Sequence, residues 1–397
     1  MILPYKKKFI FILLNQLLLS SSIFGVTNNV LDNQKELSAS LKKNKKCTVR
    51  VLLDEKKGSG QWIIESSNDI VISEVNNERK RKISSKKSNV FCFKDACLYI
   101  NGKKLLEKSI RVRPLQDNLV FNSTPYQGDL LFVIELDTCY VVNQLPLEDY
   151  VYSVLRSESW PGWPLEVNKV FAIASRTYVL HKILERNNKK PFHIKNTNIH
   201  QTYNGYHTNE ILKKAVEQTE GLIITHNKKP ILAMFDSCCG GVIPADLLGI
   251  DFKKFPYLAR TKICDFCKPC KIYQWLFELP LGEFEKLLQK NGNSLYGIKD
   301  ITIKNDKAGS VQEVIIKWAK GVTWLNGKQF YALSTKIKSY CYSVELKLKR
   351  VIINGKGYGH HCGICQWGAR YMIDHGWNYR SILQFFYPGT TCMRLTV

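Results

Sequence analysis

From Cys47 to about residue 144 the chain is a succession of short runs in which apolar and polar positions alternate. "CTVRVLL", "QWIIE", "DIVISEV", "NVFCF", "ACLYI", "LLFVIEL" and "CYVVN" are separated by Gly, Asn, Asp or Lys. Alternation with a period of two is the pattern of half-buried antiparallel strands. The basic stretch "ERKRKISSKKS" between two of these runs reads as an exposed loop. At Leu145 the period lengthens. "LPLEDYVYSVLRSE" places Leu147, Tyr150, Val151, Val154 and Leu155 on one helical face, and "SWPGWP" then stops the helix with two prolines and a glycine. "LEVNKVFAIASRTYVLHKILER" predicts a second, longer helix, apolar on one face. A third helix, "NEILKKAVEQTEG", leads into strands "LIITH" and "PILAMF". Further on come a helix near "LGEFEKLLQKN", strands between residues 299 and 354, and a final helix near 379 to 385. The fold class expected is α+β, with antiparallel β-rich regions and an inserted helical segment. Residues 47–144 form its N-terminal β region, 145–220 its helical segment and 221–397 a second β-rich region. No internal repeat is visible.

Composition changes this picture little. At 397 residues, with 45% hydrophobic and 11% aromatic content, the chain has ample material for a core. The formal charge of +24 raises nucleic acid as a partner, but the basic residues are spread out and no zinc-finger, RNP or basic-zipper pattern accompanies them. A basic exported protein could instead sit against anionic membrane or cell-wall polymers, and lysine on solvated faces accounts for most of the charge.

The amino terminus bears on compartment. Lys6, Lys7 and Lys8 precede the short apolar run "FIFILLNQLLL" and the small residues of "SSSIFG", the layout of a secretory signal over residues 1–25. A lysine-rich linker, 26–46, follows. The expected location is therefore outside the cytoplasm, in the periplasm or cell envelope, with the signal cleaved or kept as an anchor.

Two motifs carry chemistry. "GKGYGHHCGICQWGARYM", residues 355–372, has a G-x-G-x-G spacing but lacks the Gly-Lys-Ser/Thr of a phosphate loop and the βαβ setting of a dinucleotide site. His360, His361, Cys362 and Cys365 are metal-ligand types, and "CDFCKPC" supplies Cys264, Cys267 and Cys270. Spacing leaves a metal site and small apolar fillers both open. Thirteen cysteines in an exported chain would also suit disulfides, Cys92 and Cys97 being a local pair or strand fillers. The other motif is Glu158, between a helix and a rigid turn, beside Trp160 and Trp163. A carboxyl against aromatic rings has its pKa raised, as a general acid requires; an ordinary glutamate at a helix end has the same local sequence.

The ordered motifs resemble the SpoIID (stage II sporulation protein D) and LytB-like amidase-enhancer family. "VVNQLPLEDYVYSVLRSESWPGWPLEVNKVFAIASRTYVL", "HQTYNGY", "EQTEGLIITHNKKPILAMFDSCCGG", the glycine motif and "ILQFFYPGTT" carry the likeness in order, over about residues 47–397. The resemblance implies a lytic transglycosylase acting on peptidoglycan glycan strands stripped of peptides by an amidase, its functional partner, with no nucleic acid expected. It assigns the catalytic acid to Glu158. It makes the glycine motif a wall of the glycan groove, with Arg176, Gln201, Tyr203, His360 and Gln366 as candidate substrate-binding or orienting residues. Arg176 also has the sequence setting of a buried ion-pair partner. A subset of the family has a cysteine pattern matched by Cys239, Cys264, Cys267 and Cys365, which favours zinc or another structural metal over disulfides. His200 stands where some members place a cysteine ligand. His361 replaces a glycine of the family pattern, Cys362 a valine and Phe171 a glutamine.

Overall fold

A computed structural model of the chain describes residues 47–75, 80–83, 87–185 and 190–395. The signal and linker expectations lie outside the described residues. Within them the chain is mixed α+β, with antiparallel sheets and seven α-helices. No helix among them is long and apolar enough to cross a membrane. They divide into two compact units, 47–232 with 392–395, and 233–391.

The first unit is built on two sheets. A seven-stranded sheet runs in the order Ile194–Lys195, Thr48–Lys57, Thr138–Pro146, Asp129–Glu135, Ser109–Pro114, Ile70–Glu74, Lys80–Ile83. A six-stranded sheet is centred on Gly60–Glu65 and Ser88–Lys94. All pairings between the long strands are antiparallel, as the alternation predicts. Phe132 of the seven-stranded sheet stacks on Phe91 of the other at 4.8 Å and meets Trp62 edge-on at 5.5 Å. All three rings are buried, so the sheets share an aromatic core. The basic stretch expected as a loop contributes Lys80–Ile83, an antiparallel strand beside Ile70–Glu74. Lysine-rich text suits the outermost strand of a sheet, where charge discourages further pairing.

Helix α1, Leu147–Glu158, follows Pro146 and buries the five residues its periodicity predicts, Leu147, Tyr150, Val151, Val154 and Leu155. Its first turn holds Glu148 and Asp149, the favoured sign at a helix N-terminus. Helix α2, Leu165–Leu184, departs from expectation. Every residue from Val170 to Leu180 is buried, so it is a central helix enclosed on all sides rather than an amphipathic one. Arg176 and Ser175 lie within that buried stretch and mask the pattern. Helix α3, Glu210–Gln218, is capped by the Asn209 side chain, which accepts from Leu212 N at 3.1 Å.

The second unit, 233–391, has two three-stranded antiparallel sheets. One orders Gln274–Pro280, Arg350–Lys356 and Tyr342–Lys347; the other orders Asp300–Asn305, Val311–Trp318 and Gly321–Asn326. Helices α4 (Leu281–Lys290) and α5 (Gly327–Ala332) pack Phe284 and Phe330 into a core with Val314, Ile316, Tyr342 and Ile353. The strand expected across "PILAMF" is reduced to Lys229–Pro230 and Phe235–Asp236. Phe235–Asp236 pairs in parallel with Ile364–Cys365, which leads into α6, Gln366–Asp374. Helix α7, Tyr379–Phe386, closes the unit.

Candidate functional site

Glu158 is the last residue of α1. The chain leaves it through Ser159, whose extended backbone carries it into the proline turn. That turn is latched to the start of α2: Ser159 Oγ donates to Asn168 Oδ1 at 2.6 Å, and Asn168 Nδ2 donates to the Trp163 carbonyl at 3.0 Å. Trp163 is buried and contacts Phe171. Trp160 stacks beside it at 6.1 Å but is 54% exposed. The carboxyl is thus held by a rigid turn, with one aromatic face open next to it in sequence.

Glu158 is half-buried as a residue, so part of it remains reachable, while its carboxyl is packed against protein. Burial raises its pKa from 4.5 to about 7, opposed by hydrogen bonds from Thr202, whose backbone N–H donates to Oε1. Two buried phenols lie within the reach of its charge. Burial first, and Glu158 second, push Tyr150 and Tyr178 above the ordinary phenol value, keeping both neutral.

The neighbouring candidates divide by what their polar atoms already touch. Tyr150 Oη donates to Gln201 Oε1 at 2.8 Å, which fixes the amide and leaves Gln201 Nε2 buried without a hydrogen-bond partner. Tyr203 Oη donates to Asn143 Oδ1 at 2.5 Å, and its ring stacks on Tyr150 at 5.7 Å. Arg176 is fully buried. Its Nε donates to Glu148 at 2.9 and 3.1 Å, a terminal nitrogen donates to the same carboxylate at 2.5 Å, and the other to the Leu222 carbonyl at 3.1 Å. The Arg176 guanidinium is therefore engaged inside the protein, joining α1, α2 and the strand Leu222–His226.

In the second unit the glycine motif wraps a group of thiols. Cys239, Cys264, Cys267 and Cys365 have Sγ atoms all within 4.8 Å of one another, and all four are buried. Cys239 and Cys267 sulfurs are 3.7 Å apart. A tetrahedral ion with metal–sulfur bonds of about 2.3 Å sets its sulfurs about 3.8 Å apart, whereas a disulfide needs about 2.05 Å. Every cysteine among the described residues is a free thiol, Cys92 and Cys97 included. Those two lie on paired strands but out of register, Cys92 opposite Tyr99 and Cys97 opposite Lys94. The four-thiol set fits a soft divalent ion by donor type and spacing. Gly368 keeps the space open: a Cβ there would come within 2.7 Å of Cys264 Sγ and 3.2 Å of Cys365 Sγ. Hydrogen bonds from Cys238 first, then Cys239, Cys264 and Cys365, hold the Cys267 thiol below its ordinary value.

His361 is the outlier of this motif. It adopts φ +63°, a left-handed conformation, where the family pattern has glycine. Its backbone N–H donates to the buried carboxylate of Asp236 at 2.6 Å, and its ring Nδ1 lies 3.0 Å from the Cys239 carbonyl. These contacts hold a conformation that costs a non-glycine residue about 1–3 kcal/mol. His360 is half-buried; its Nδ1 accepts from Cys362 N at 3.1 Å, and burial lowers its pKa to about 4. Gln366 is the first residue of α6. His200 is not part of the four-thiol group: it belongs to the first unit, where its Nδ1 accepts from Lys195 N at 3.2 Å.

Sequence reasoning missed two features here, the Asp236 carboxyl and the place of Cys238 beside the thiols. Asp236 is a buried carboxyl, its pKa pushed up by that burial. Its neighbours "MFDSCCGG" gave no sign of this, because its partner is a backbone N–H more than a hundred residues away. Cys238 belongs to the same thiol neighbourhood as the four. Its nearness in sequence to Cys239 was the available signal.

A family model described as "SpoIID: Stage II sporulation protein" matches residues 135–226, the segment containing Glu158, Arg176, Gln201 and Tyr203. An uncharacterized protein of Brachyspira hyodysenteriae is 34% identical over 280 residues, 69% of this chain and 74% of that protein. Stage II sporulation protein D of Bacillus amyloliquefaciens is 27% identical over 62% of this chain and 74% of its own length. The amidase enhancer of Bacillus subtilis is 27% identical over 60% of this chain, a match spanning only 39% of that longer protein. With the sequence motifs falling in order along the same segments, the chain belongs to the stage II sporulation protein D family.

Proposed function

We propose that the protein is an exported lytic transglycosylase that cleaves the MurNAc–GlcNAc bond of peptidoglycan glycan strands, with Glu158 as its single catalytic acid and base. The observation that carries this reading is a half-buried glutamate at the end of α1 whose packed carboxyl has its pKa raised to about 7. At neutral pH a substantial fraction of Glu158 then carries a proton to give, and the conjugate base has useful strength to take one back. Glu158 protonates the glycosidic oxygen, which leaves as the GlcNAc 4-hydroxyl. The resulting carboxylate removes the proton from the MurNAc C6 hydroxyl as that oxygen attacks C1, closing a 1,6-anhydro ring. Because the internal hydroxyl replaces water, no second catalytic carboxylate is needed.

The other residues take supporting roles. The unpartnered Gln201 Nε2 is a donor waiting for an acceptor. Trp160 offers an open ring for stacking on a sugar. Arg176 and Tyr203 position the frame around Glu158 through Glu148 and Asn143. Cys239, Cys264, Cys267 and Cys365 would hold zinc, which when bound would cross-link the motif as a structural ion. Export to the cell envelope rests on the amino-terminal basic and apolar runs.

The amidase-enhancer relative favours a second reading, a glycan-binding activator of an amidase without cleavage of its own. Mass spectrometry of peptide-free glycan strands after incubation with the protein separates the two. Anhydro-MurNAc ends that vanish in Glu158→Gln support the transglycosylase. Binding without product, and amidase stimulation indifferent to Glu158→Gln, would support the activator.

A further inference from the structure

The segment that follows Ile194–Lys195 crosses the end of α1, pinned on both sides of one exposed residue. On one side Tyr203 is buried, its N–H donating to the Asn196 carbonyl at 3.1 Å and its hydroxyl to Asn143. On the other side Gly205 is buried with φ +76°. A Cβ there would collide with the Pro125 carbonyl oxygen and lie 2.8 Å from Thr124 Cγ2, so only glycine passes. Tyr206 N–H then donates to that Pro125 carbonyl at 2.7 Å. Between these anchors Asn204 is exposed. Thr202, two residues earlier, donates its N–H to Glu158 Oε1. Asn204 Nδ2 donates at 2.8 Å to Oγ of Ser157, the residue preceding Glu158. One strap thus holds the Glu158 carboxyl and sets a primary amide at the surface next to it.

That amide is only half used. Ser157 takes one of its N–H groups, and among the described residues its side chain makes no other hydrogen bond. A second N–H and the Oδ1 acceptor are left on one planar group. A secondary amide presents the matching pair, one carbonyl and one N–H, side by side. A sugar hydroxyl carries its donor and acceptor on a single atom and cannot meet both halves of a carboxamide in the same way. Along a β-1,4 glycan strand of amino sugars, the substituent with the amide pair is the acetamido group at C2.

We propose that Asn204 selects 2-acetamido sugars beside Glu158, its Oδ1 accepting the acetamido N–H and its second Nδ2–H donating to the acetamido carbonyl. This rests on the reading of the surface around Glu158 as a glycan site, and names the substituent recognised there. Gln201, the other carboxamide of the strap, is buried, whereas Asn204 meets a ligand without rearrangement. Its latch to Ser157 orients it in advance, which lowers the cost of binding. Trp160, two residues past Glu158 and 54% exposed, offers a ring face that stacks on any pyranose. Stacking supplies affinity, and Asn204 adds the choice of substituent. Two partly exposed hydrogen bonds give a preference of about tenfold.

The test is equilibrium binding by the full chain carrying Glu158→Gln, which leaves the sugar intact. Two neutral β-1,4 pentasaccharides are compared, one of N-acetylglucosamine and one of glucose, which differ only in acetamido against hydroxyl at C2. The N-acetylglucosamine oligomer should bind about tenfold tighter. Adding Asn204→Ala should bring the two affinities together, by weakening that oligomer and leaving the glucose oligomer unchanged. Equal weakening of both would make Asn204 a structural latch and overturn the assignment. So would an unchanged ratio, or no preference before the substitution. Binding of neither oligomer overturns the glycan site and the assignment together. A preference carried by Asn204, in a protein whose unsubstituted form makes no anhydro-MurNAc ends, keeps Asn204 as the reader and rejects only the transglycosylase.

Discussion

Glu158 and the thiol cluster are both buried acids, and the structure treats them in opposite ways. Around Glu158 burial acts nearly alone: neutral phenols surround it, Thr202 donates to it, and its pKa rises to about 7. The carboxyl is kept poised, holding and releasing one proton near neutrality. Around Cys267 the thiols act on one another, and their hydrogen bonds lower its pKa from the ordinary thiol value. Several thiolates in one buried space repel each other until a cation joins them. A solitary buried acid is thus suited to moving a proton, and a crowd of buried acids to holding a metal.

The comparison can be broken at its strongest point first. If the thiols hold metal, a zinc chelator will remove a stabilising ligand from residues 233–391 and destabilise that unit by more than about 5 kcal/mol, judged from small zinc domains. Differential scanning calorimetry with and without chelator would detect it, and an unchanged thermogram would mean the thiols pack without an ion. Next in size is the ion pair that frames Glu158. Arg176→Met should cost about 3–5 kcal/mol in urea denaturation, because it strands the Glu148 carboxylate. The double variant Arg176→Met/Glu148→Leu should recover part of that loss. No loss in the single variant would mean the pair is not confined as described.

The poised state of Glu158 has its own signature. Its folded pKa is raised above the unfolded value of 4.5, so the folded protein keeps the proton between pH 4.5 and about 7 while the unfolded chain releases it. Its contribution to stability is full below pH 4.5 and is lost as pH rises through about 7. Glu158→Gln should therefore be more stable than the parent at pH 8, by about 1–2 kcal/mol, with the gap closing toward pH 4. A variant less stable at pH 8 would contradict a destabilised carboxylate. The smallest effect concerns Trp160. Its exposure predicts that Trp160→Ala leaves thermal stability unchanged and lowers kcat/KM on glycan about three- to tenfold, mainly through KM. A change in melting temperature instead would make Trp160 a packing residue.

How far these regions could be read from sequence follows the same division. The strands of residues 47–144 and the buried face of α1 were legible because alternation and the 3.6-residue period act locally. Helix α2 was read as amphipathic because Ser175 and Asn168 look solvent-facing, whereas Arg176, whose sequence setting already suited a buried ion pair, finds its partner in the distant Glu148. Lys80–Ile83 was read as a loop because charge is also what an outer strand carries. The cysteines were visible as ligand types, but Cys239, Cys264 and Cys365 come together only through pairing of Phe235–Asp236 with Ile364–Cys365, a long-range contact no spacing encodes. Glu158 stood out in sequence through its proline turn and tryptophans. Its raised pKa depends on burial, partly offset by hydrogen bonds from Thr202 in a different segment, and neither is encoded locally.

The most direct test of the central claim is the pH profile of product formation on peptide-free glycan strands, with parent and Glu158→Gln proteins run side by side. Anhydro-MurNAc ends from the parent should decline as pH rises through about 7, as the acid loses its proton, and Glu158→Gln should form them at least about a hundredfold more slowly at every pH. Equal product from both proteins, or a parent profile flat across pH 5 to about 9, would contradict Glu158 as the acid.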